Sequence, residues 1–288
     1  MSESIGFIGL GNMGSALAAN LVSFGCAVVA HDVAGPDRMP VGATWVPTAA
    51  EVATKCEVVV LSLPDGSVSE AVVRDLLGSG SRRVTAVVDT STVGVQAADR
   101  LTALLAEADV DYVAAPVSGG VTGARARTLM VMYAGSDAAC SRVEPVLAGL
   151  SDRRKRVGDV PRQAQALKLV NNFLSAANLA TASEALAFGE SLGLDLEVML
   201  DVINGSSGQS SVTSEKFPQQ VLTGRYAAGF TNTLMTKDLN LFLSAVGEHA
   251  PLAAATTELW EAFTAAEPGA DFTRVYPFGV MRRRPRPS

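Results

Sequence analysis

A run of six residues, Gly9-Leu10-Gly11-Asn12-Met13-Gly14, stands between a short apolar stretch at 5–8 and an Ala- and Leu-rich stretch at 15–22. The first stretch has the length of a buried strand, and the second has helical spacing. A G-x-G-x-x-G run in that position is a strong constraint on the fold. Gly9 permits a tight turn out of the strand, Gly11 lets backbone approach a pyrophosphate, and Gly14 lets the helix lie close to the strand. The N-terminus of that helix then faces the anion. Taken alone, the run reads equally well as a plain glycine-rich turn.

Asp32 tips that balance. It falls at the end of the second predicted strand, at about the spacing where an acidic side chain accepts hydrogen bonds from the adenosine ribose hydroxyls. A 2′-phosphate there would be repelled, and the nearest downstream arginine, Arg38, comes too late for a clamp directly after the strand. The reading favours NAD over NADP.

The rest of the first half continues the theme. Short β-rich runs at 5–8, 27–31, 58–61, 85–89, 112–114 and 129–133 alternate with helical stretches, which predicts an α/β, Rossmann-type doubly wound parallel sheet. Beyond about residue 160 the pattern becomes all-helical, with a long helix over 165–192 and further helices over 196–204, 211–222, 234–247 and 253–265. Two domains are expected: a nucleotide-binding domain over 1–161 and a helical domain over 162–288, joined by the long helix. The tail Arg282-Arg283-Arg284-Pro285-Arg286-Pro287-Ser288 offers no core, so a frayed, solvated terminus is expected, its last few residues disordered.

Composition narrows the function classes. The 288 residues are 48% hydrophobic and 18% charged, enough to build a real core. A formal charge of −6 argues against nucleic acid as a partner, and no apolar run is long enough for a membrane span. Cys26, Cys56 and Cys140 are widely separated with no C-x-x-C spacing, so neither a metal site nor a redox pair is expected. The start Met1-Ser2-Glu3-Ser4 runs straight into a predicted strand without a leader pattern, and the expected location is cytoplasmic.

Two further segments carry polar chemistry. Ser118-Gly119-Gly120 follows a predicted strand, and its small residues can present consecutive N–H groups to a carboxylate, or serve as a flexible turn. Lys168 and Asn172 are four residues apart, on one face of the long helix, although a lysine near a helix start is more often solvated surface.

With these motifs in place, the chain resembles the 3-hydroxyisobutyrate dehydrogenase family of β-hydroxyacid dehydrogenases, related to 6-phosphogluconate dehydrogenases. The resemblance spans nearly the whole chain. It rests on Ile8-Gly9-Leu10-Gly11-Asn12-Met13-Gly14, Ala115-Pro116-Val117-Ser118-Gly119-Gly120, Lys168-Leu169-Val170-Asn171-Asn172 and Lys237-Asp238-Leu239, in the family's order. It implies a hydride transfer between NAD and a small 3-hydroxy acid, with Lys168 as general acid/base. To accept a proton Lys168 must be neutral, which desolvation or a nearby cation would favour. Ser118, Gly119 and Gly120 would hold the substrate carboxylate, and Asn172 would hydrogen-bond the substrate. Gly9 through Gly14, Asp32, Leu63, Pro64, Thr92 and Lys237 would contact the cofactor. The resemblance also implies a homodimer or homotetramer, and the Ala-rich stretch at 175–187 suits either close subunit contact or burial within one chain.

Departures from the family pattern bear on the substrate. Arg162 and Ala164 replace two glycines before the lysine, Arg127 replaces a glycine, and Val95 stands where proline is common. Arg125 and Arg127 follow the substrate segment, where one of them could pair with a second anionic group; ordinary surface arginine is the simpler reading. Neither His31 nor His249 sits in a motif, so a His–Asp proton relay is not expected. Two alternatives stay open: an imine reductase on the same scaffold, and a nicotinamide-binding module without turnover.

Overall fold

The computed structural model describes residues 4–247 and 249–283. The expected fraying of the extreme tail, 284–288, lies outside the described residues. The chain divides into two compact units, Met1–Lys168 and Leu169–Ser288.

The first unit is an α/β sheet protein. In order it runs β1 (Ile5–Ile8), α1 (Asn12–Ser23), β2 (Val28–His31), β3 (Thr44–Trp45), α2 (Ala49–Lys55), β4 (Val58–Leu61), α3 (Gly66–Gly78), β5 (Ala86–Asp89), α4 (Val95–Ala106), β6 (Asp111–Ala114), β7 (Val117–Ser118), α5 (Gly120–Arg125), β8 (Met130–Ala134), α6 (Asp137–Leu150) and β9 (Arg153–Gly158). The strand order is β3-β2-β1-β4-β5-β6-β8-β7, with β9 paired to β8. The chain builds outward from β1 to β3 and then returns to place β4 on the other side of β1. Sheets of this kind bind ligands at the carboxyl ends of the strands beside that reversal.

Alternation along the central strands fills two apolar layers. Phe7, Val28, Val58, Val60 and Val88 join one core, whereas Ile8, Val29, Val59, Leu61 and Val87 join the other. Each large apolar side chain so buried is worth roughly 1.5–3 kcal/mol. The sheet is parallel-dominant as expected, with one antiparallel edge where β8 pairs with β6 and β7. Three strands escape a hydrophobic pattern search. β3 and β7 have only two residues each, and β9 is the charged run Arg-Arg-Lys-Arg-Val-Gly, parallel to β8. Arg154 and Arg156 of β9 pair with Glu144 and Asp137 of α6, so two of the strand's four charges are met by its neighbour.

Helix α7 (Pro161–Ser191) begins four residues before the predicted start. Proline suits the first helical turn, and the Gln163 carboxamide oxygen accepts from the N–H groups of Asp159 and Val160 just ahead of it. The first unit takes α7 as far as Lys168, and the remainder belongs to the second unit.

The second unit continues with α8 (Leu196–Asn204), a wide π-wound segment (Val212–Val221), α9 (Asn232–Val246), α10 (Pro251–Ala266) and α11 (Val275–Arg283). Trp260, Phe217, Phe263 and Leu239 are fully buried at its centre. An α-helix is predicted over 211–222, but Leu222 N–H reaches back five residues to the Phe217 carbonyl. Pro218 sits inside the segment and supplies no N–H, which disfavours regular α winding there. Within 175–187, Ala176, Leu179, Ala180, Ser183 and Leu186 are buried in their own chain. No helix among the described residues is long and apolar enough to cross a membrane.

Candidate active site

The three glycines of the first loop do different work. Gly9 has φ +97°, and a Cβ there would come 2.3 Å from the Ser62 carbonyl oxygen. A Cβ on Gly14 would lie 1.9 Å from the Gly9 carbonyl oxygen, so Gly14 is required by helix packing. A Cβ on Gly11 would meet no atom within 4 Å. The space beside Gly11 is thus open to a ligand. No side chain caps α1, and its first turn holds no acidic residue, leaving the positive end of the helix available to an anion. Leu10, Asn12 and Met13 complete this turn.

Asp32 follows β2 directly, and its carboxylate accepts from Leu10 N–H in the glycine loop and from Ala34 N–H at 2.7 Å. The acid predicted to read a ribose is therefore brought to the loop predicted to read a pyrophosphate. Arg38, although six residues beyond Asp32, reaches the same loop: its Nη1 lies 3.5 Å from Asn12 Oδ1. Loop, acid and helix end suit a dinucleotide.

Leu63, Pro64 and Thr92 follow the carboxyl ends of β4 and β5, two neighbouring strands. Leu63 N–H donates to the Ser91 hydroxyl at 2.8 Å, which ties these two loops together. Ser91 N–H donates to Asp89 at 2.9 Å. Burial pushes the Asp89 carboxyl above the usual carboxylate range, while its hydrogen bonds to Ser91 work in the opposite direction. Burial, with Asp89 beside it, also holds the Tyr112 phenol well above its ordinary value.

Ser118 ends β7, and Gly119 and Gly120 follow with φ of +131° and +68°. These are conformations that glycine reaches without strain, so the turn exposes backbone rather than side chains. Of the two arginines beyond it, Arg127 is already occupied. Its guanidinium donates to the carbonyls of Gly149 and Ala148 at 2.7 and 2.9 Å and pairs with Asp152 at 2.9 Å. It closes the C-terminal end of α6, and its φ of +59° explains why a glycine would also fit. Arg125 is exposed. The other departures also have local accounts. Ala164 is fully buried against the sheet, Arg162 lies 3.5 Å from Asp99, and Val95 opens α4.

Lys168 lies on α7 and is 6% exposed. Asn172 follows one turn later, also buried. In the second unit its carboxamide donates to Asp238 Oδ2 at 2.6 Å, and Lys237 Nζ lies 3.2 Å from Asp238 Oδ1. Lys237 thus belongs to the same polar group as Asn172. His31 is buried against Trp45, with Nδ1 3.2 Å from the Val46 carbonyl, and His249 is exposed. Among the described residues there is no cluster of His, Cys, Asp and Glu that could hold a metal.

Asp238, Ser91 and Gln165 join these groups without a sequence pattern of their own. Asp238 lies inside the Lys-Asp-Leu motif, and Ser91 lies beside Thr92. Gln165 carried no signal beyond its place three residues before the lysine.

Known proteins resemble this chain along nearly its whole length. Residues 4–158 match the NAD binding domain of 6-phosphogluconate dehydrogenase, and residues 163–278 match the NAD-binding family of NADP-dependent 3-hydroxyisobutyrate dehydrogenase. The chain is 36% identical over 268 residues to 2-(hydroxymethyl)glutarate dehydrogenase of Eubacterium barkeri, covering 90% of this chain and 89% of that one. The solved 3-hydroxyisobutyrate dehydrogenase of Mycobacterium tuberculosis, determined with L-serine, superposes with a TM-score of 0.89 at 31% identity, over 99% of this chain and 100% of that one. The chain belongs to the 3-hydroxyisobutyrate dehydrogenase family.

As a member of the 3-hydroxyisobutyrate dehydrogenase family, it is an NAD(P)-dependent dehydrogenase acting on the CH–OH group of hydroxy acids. A further family-like structure, Psf3 in complex with NADP+ and 2-OPP, aligns with a TM-score of 0.80 at 28% identity, over 95% of this chain and 99% of that one. An imine reductase from Pseudomonas sp. aligns over 98% of this chain and all of its own with a TM-score of 0.62 at 19% identity, a likeness of fold alone.

Proposed function

We propose that this chain interconverts a small 3-hydroxy acid and its carbonyl product using NAD, with Lys168 as the general acid/base. The burial of Lys168 carries the reading. A lysine kept from water by the fold is uncommon, and its burial beside Asn172 on α7 supports a part in chemistry rather than a place on the surface.

When bound, the nicotinamide accepts or supplies the hydride. In the oxidation, the Lys168 amine takes the hydroxyl proton as the C–H bond breaks, and in the reduction its ammonium returns a proton to the carbonyl oxygen. The amides at Ser118, Gly119 and Gly120 hold the substrate carboxylate, which keeps that charge away from the lysine. Asn172 hydrogen-bonds the substrate, its carboxamide oriented by Asp238. Gly9 through Gly14 cradle the pyrophosphate, with Leu63, Pro64, Thr92 and Lys237 as further cofactor contacts. On this reading residues 1–161 supply most of the nucleotide contacts together with the Ser118–Gly120 amides, and residues 162–288 supply Lys168, Asn172, Lys237 and the surface for assembly.

Asp32 supports NAD, because a 2′-phosphate would have to sit against its carboxylate. Arg38 is exposed and only at the limit of hydrogen-bond reach of Asn12, a weak counterweight. The exposed apolar side chains Val170 and Leu174 on α7 and Val198 and Val202 on α8 support a homodimer or homotetramer, which sedimentation would measure.

The deciding experiment follows nicotinamide absorbance with NAD or NADP and a panel of 3-hydroxy acids, comparing wild type with Lys168→Ala. NAD-linked turnover that disappears in the variant while NADH still binds supports the reading. Full activity in the variant overturns it.

A further inference from the structure

Gln165 lies one turn before Lys168 in α7 and is fully buried. Its carboxamide spends itself on one short stretch of the first unit. Oε1 accepts from the N–H groups of Val93 at 3.0 Å and Gly94 at 3.2 Å, and Nε2 donates to the Ser91 carbonyl at 2.9 Å. Between these anchors sits Thr92, which is partly open while Ser91, Val93 and Gly94 are all buried. The hydroxyl of the same Ser91 receives Leu63 N–H at 2.8 Å. One side chain therefore ties the start of α7 to the loop after β5 and, through Ser91, to the loop after β4.

The residue type suits the task. A buried amide is costly unless satisfied, and this one offers an acceptor to two N–H groups and a donor to one carbonyl. An apolar side chain would fill the space but leave three buried backbone groups without partners. A carboxylate would keep the acceptor half and set its other oxygen against the Ser91 carbonyl. Along α7, three residues correspond to a rise of about 4.5 Å and nearly a full turn, so Gln165 and Lys168 leave the helix from similar directions.

We propose that Gln165 is a positioning residue: it fixes the height and rotation of Lys168 against the loops carrying Leu63 and Thr92, so that seating the cofactor also sets the lysine's reach. The inference rests on the reading of Lys168 as acid/base and of those loops as cofactor contacts.

The test compares wild type, Gln165→Met, Gln165→Glu and Lys168→Ala. Circular dichroism and thermal midpoint report folding, fluorescence titration gives the NADH Kd, and steady-state kinetics separate kcat from KM. In folded Gln165→Met, NADH affinity should fall about tenfold and kcat about 10- to 100-fold, while KM for the hydroxy acid moves less than about threefold. Gln165→Glu, which keeps the acceptor half, should lose less NADH affinity than the Met variant. A role in stability alone would lower the midpoint and leave kcat per folded molecule unchanged. A folded Met variant with wild-type kcat and NADH affinity overturns the proposal. If the Met variant does not fold, the Glu variant decides by the same measurements, and failure of both to fold assigns Gln165 to folding and overturns it too. Lys168→Ala keeps the two readings apart. If it stays active, the acid/base reading falls, and the tie between Gln165 and the cofactor loops stands or falls on NADH affinity.

Discussion

The carboxamide of Asn172 donates a 2.6 Å hydrogen bond to the carboxylate of Asp238, which is almost wholly buried. An asparagine side chain is free to turn about its last bond, and a buried anion on one side fixes which way its amide faces. If Asn172 holds the substrate, its orientation is as necessary as its presence. Asp238→Ala should therefore lower kcat/KM by about 10- to 100-fold, the worth of a hydrogen bond to a charged group. Steady-state kinetics on the preferred hydroxy acid measures this, and a variant with unchanged kcat/KM would show that Asn172 needs no such partner.

Substituting two glycines of the first loop should give opposite results. Gly11→Ala adds a methyl group into open space, so the apo thermal midpoint should stay at the wild-type value while NADH affinity falls by about tenfold or more. Gly14→Ala drives a methyl group to 1.9 Å from a carbonyl oxygen, and stability should drop by about 2 kcal/mol or more before any ligand is considered. Urea unfolding and NADH titration on both variants check the pair.

Arg127 should behave as a structural residue. Arg127→Ala removes the two carbonyl contacts at the end of α6 and should cost about 1–3 kcal/mol, with KM unchanged for mono- and dicarboxylic hydroxy acids alike. Arg127→Gly should lose less, because glycine relieves a left-handed backbone strain of about 1–2 kcal/mol. A selective rise in KM for dicarboxylates would instead give this guanidinium a part in substrate binding.

Asp89 makes stability depend on pH in a fixed direction. Its carboxyl holds its proton more tightly in the folded protein than in the unfolded chain, because burial raises its pKa. From about pH 4 up to its raised folded value the native state binds more protons, so its contribution to stability falls as pH rises through that window. Asp89→Asn should remove this slope, as urea unfolding from pH 4 to 8 would show. An identical slope in the variant would place the effect elsewhere.

How far the sequence alone reaches depends on whether a feature is local. Gly9, Gly14 and Asp32 are legible because a tight turn, a close helix and a strand end impose residue types at short spacing. Strand β9 is not, since Arg154 and Arg156 pair with α6 and its run of cations hides the strand behind a polar pattern. The π-wound segment at Val212–Val221 carries a visible Pro218, but helical periodicity does not distinguish the two windings. Gln165 and Asp238 depend on hydrogen bonds spanning more than sixty residues, and no local spacing announces those.

The two backbone contacts of Asp32 limit how this chain could change over generations. Its carboxylate holds Leu10 in the glycine loop and Ala34 after β2 even before a nucleotide arrives. On the proposed NAD reading, a lineage drifting toward a phosphorylated cofactor would gain by discarding that charge, yet the same step would unfasten the glycine loop proposed to grip the pyrophosphate. Such a change requires a second substitution that re-anchors Leu10, and the order of the two is constrained: the new anchor has to come first.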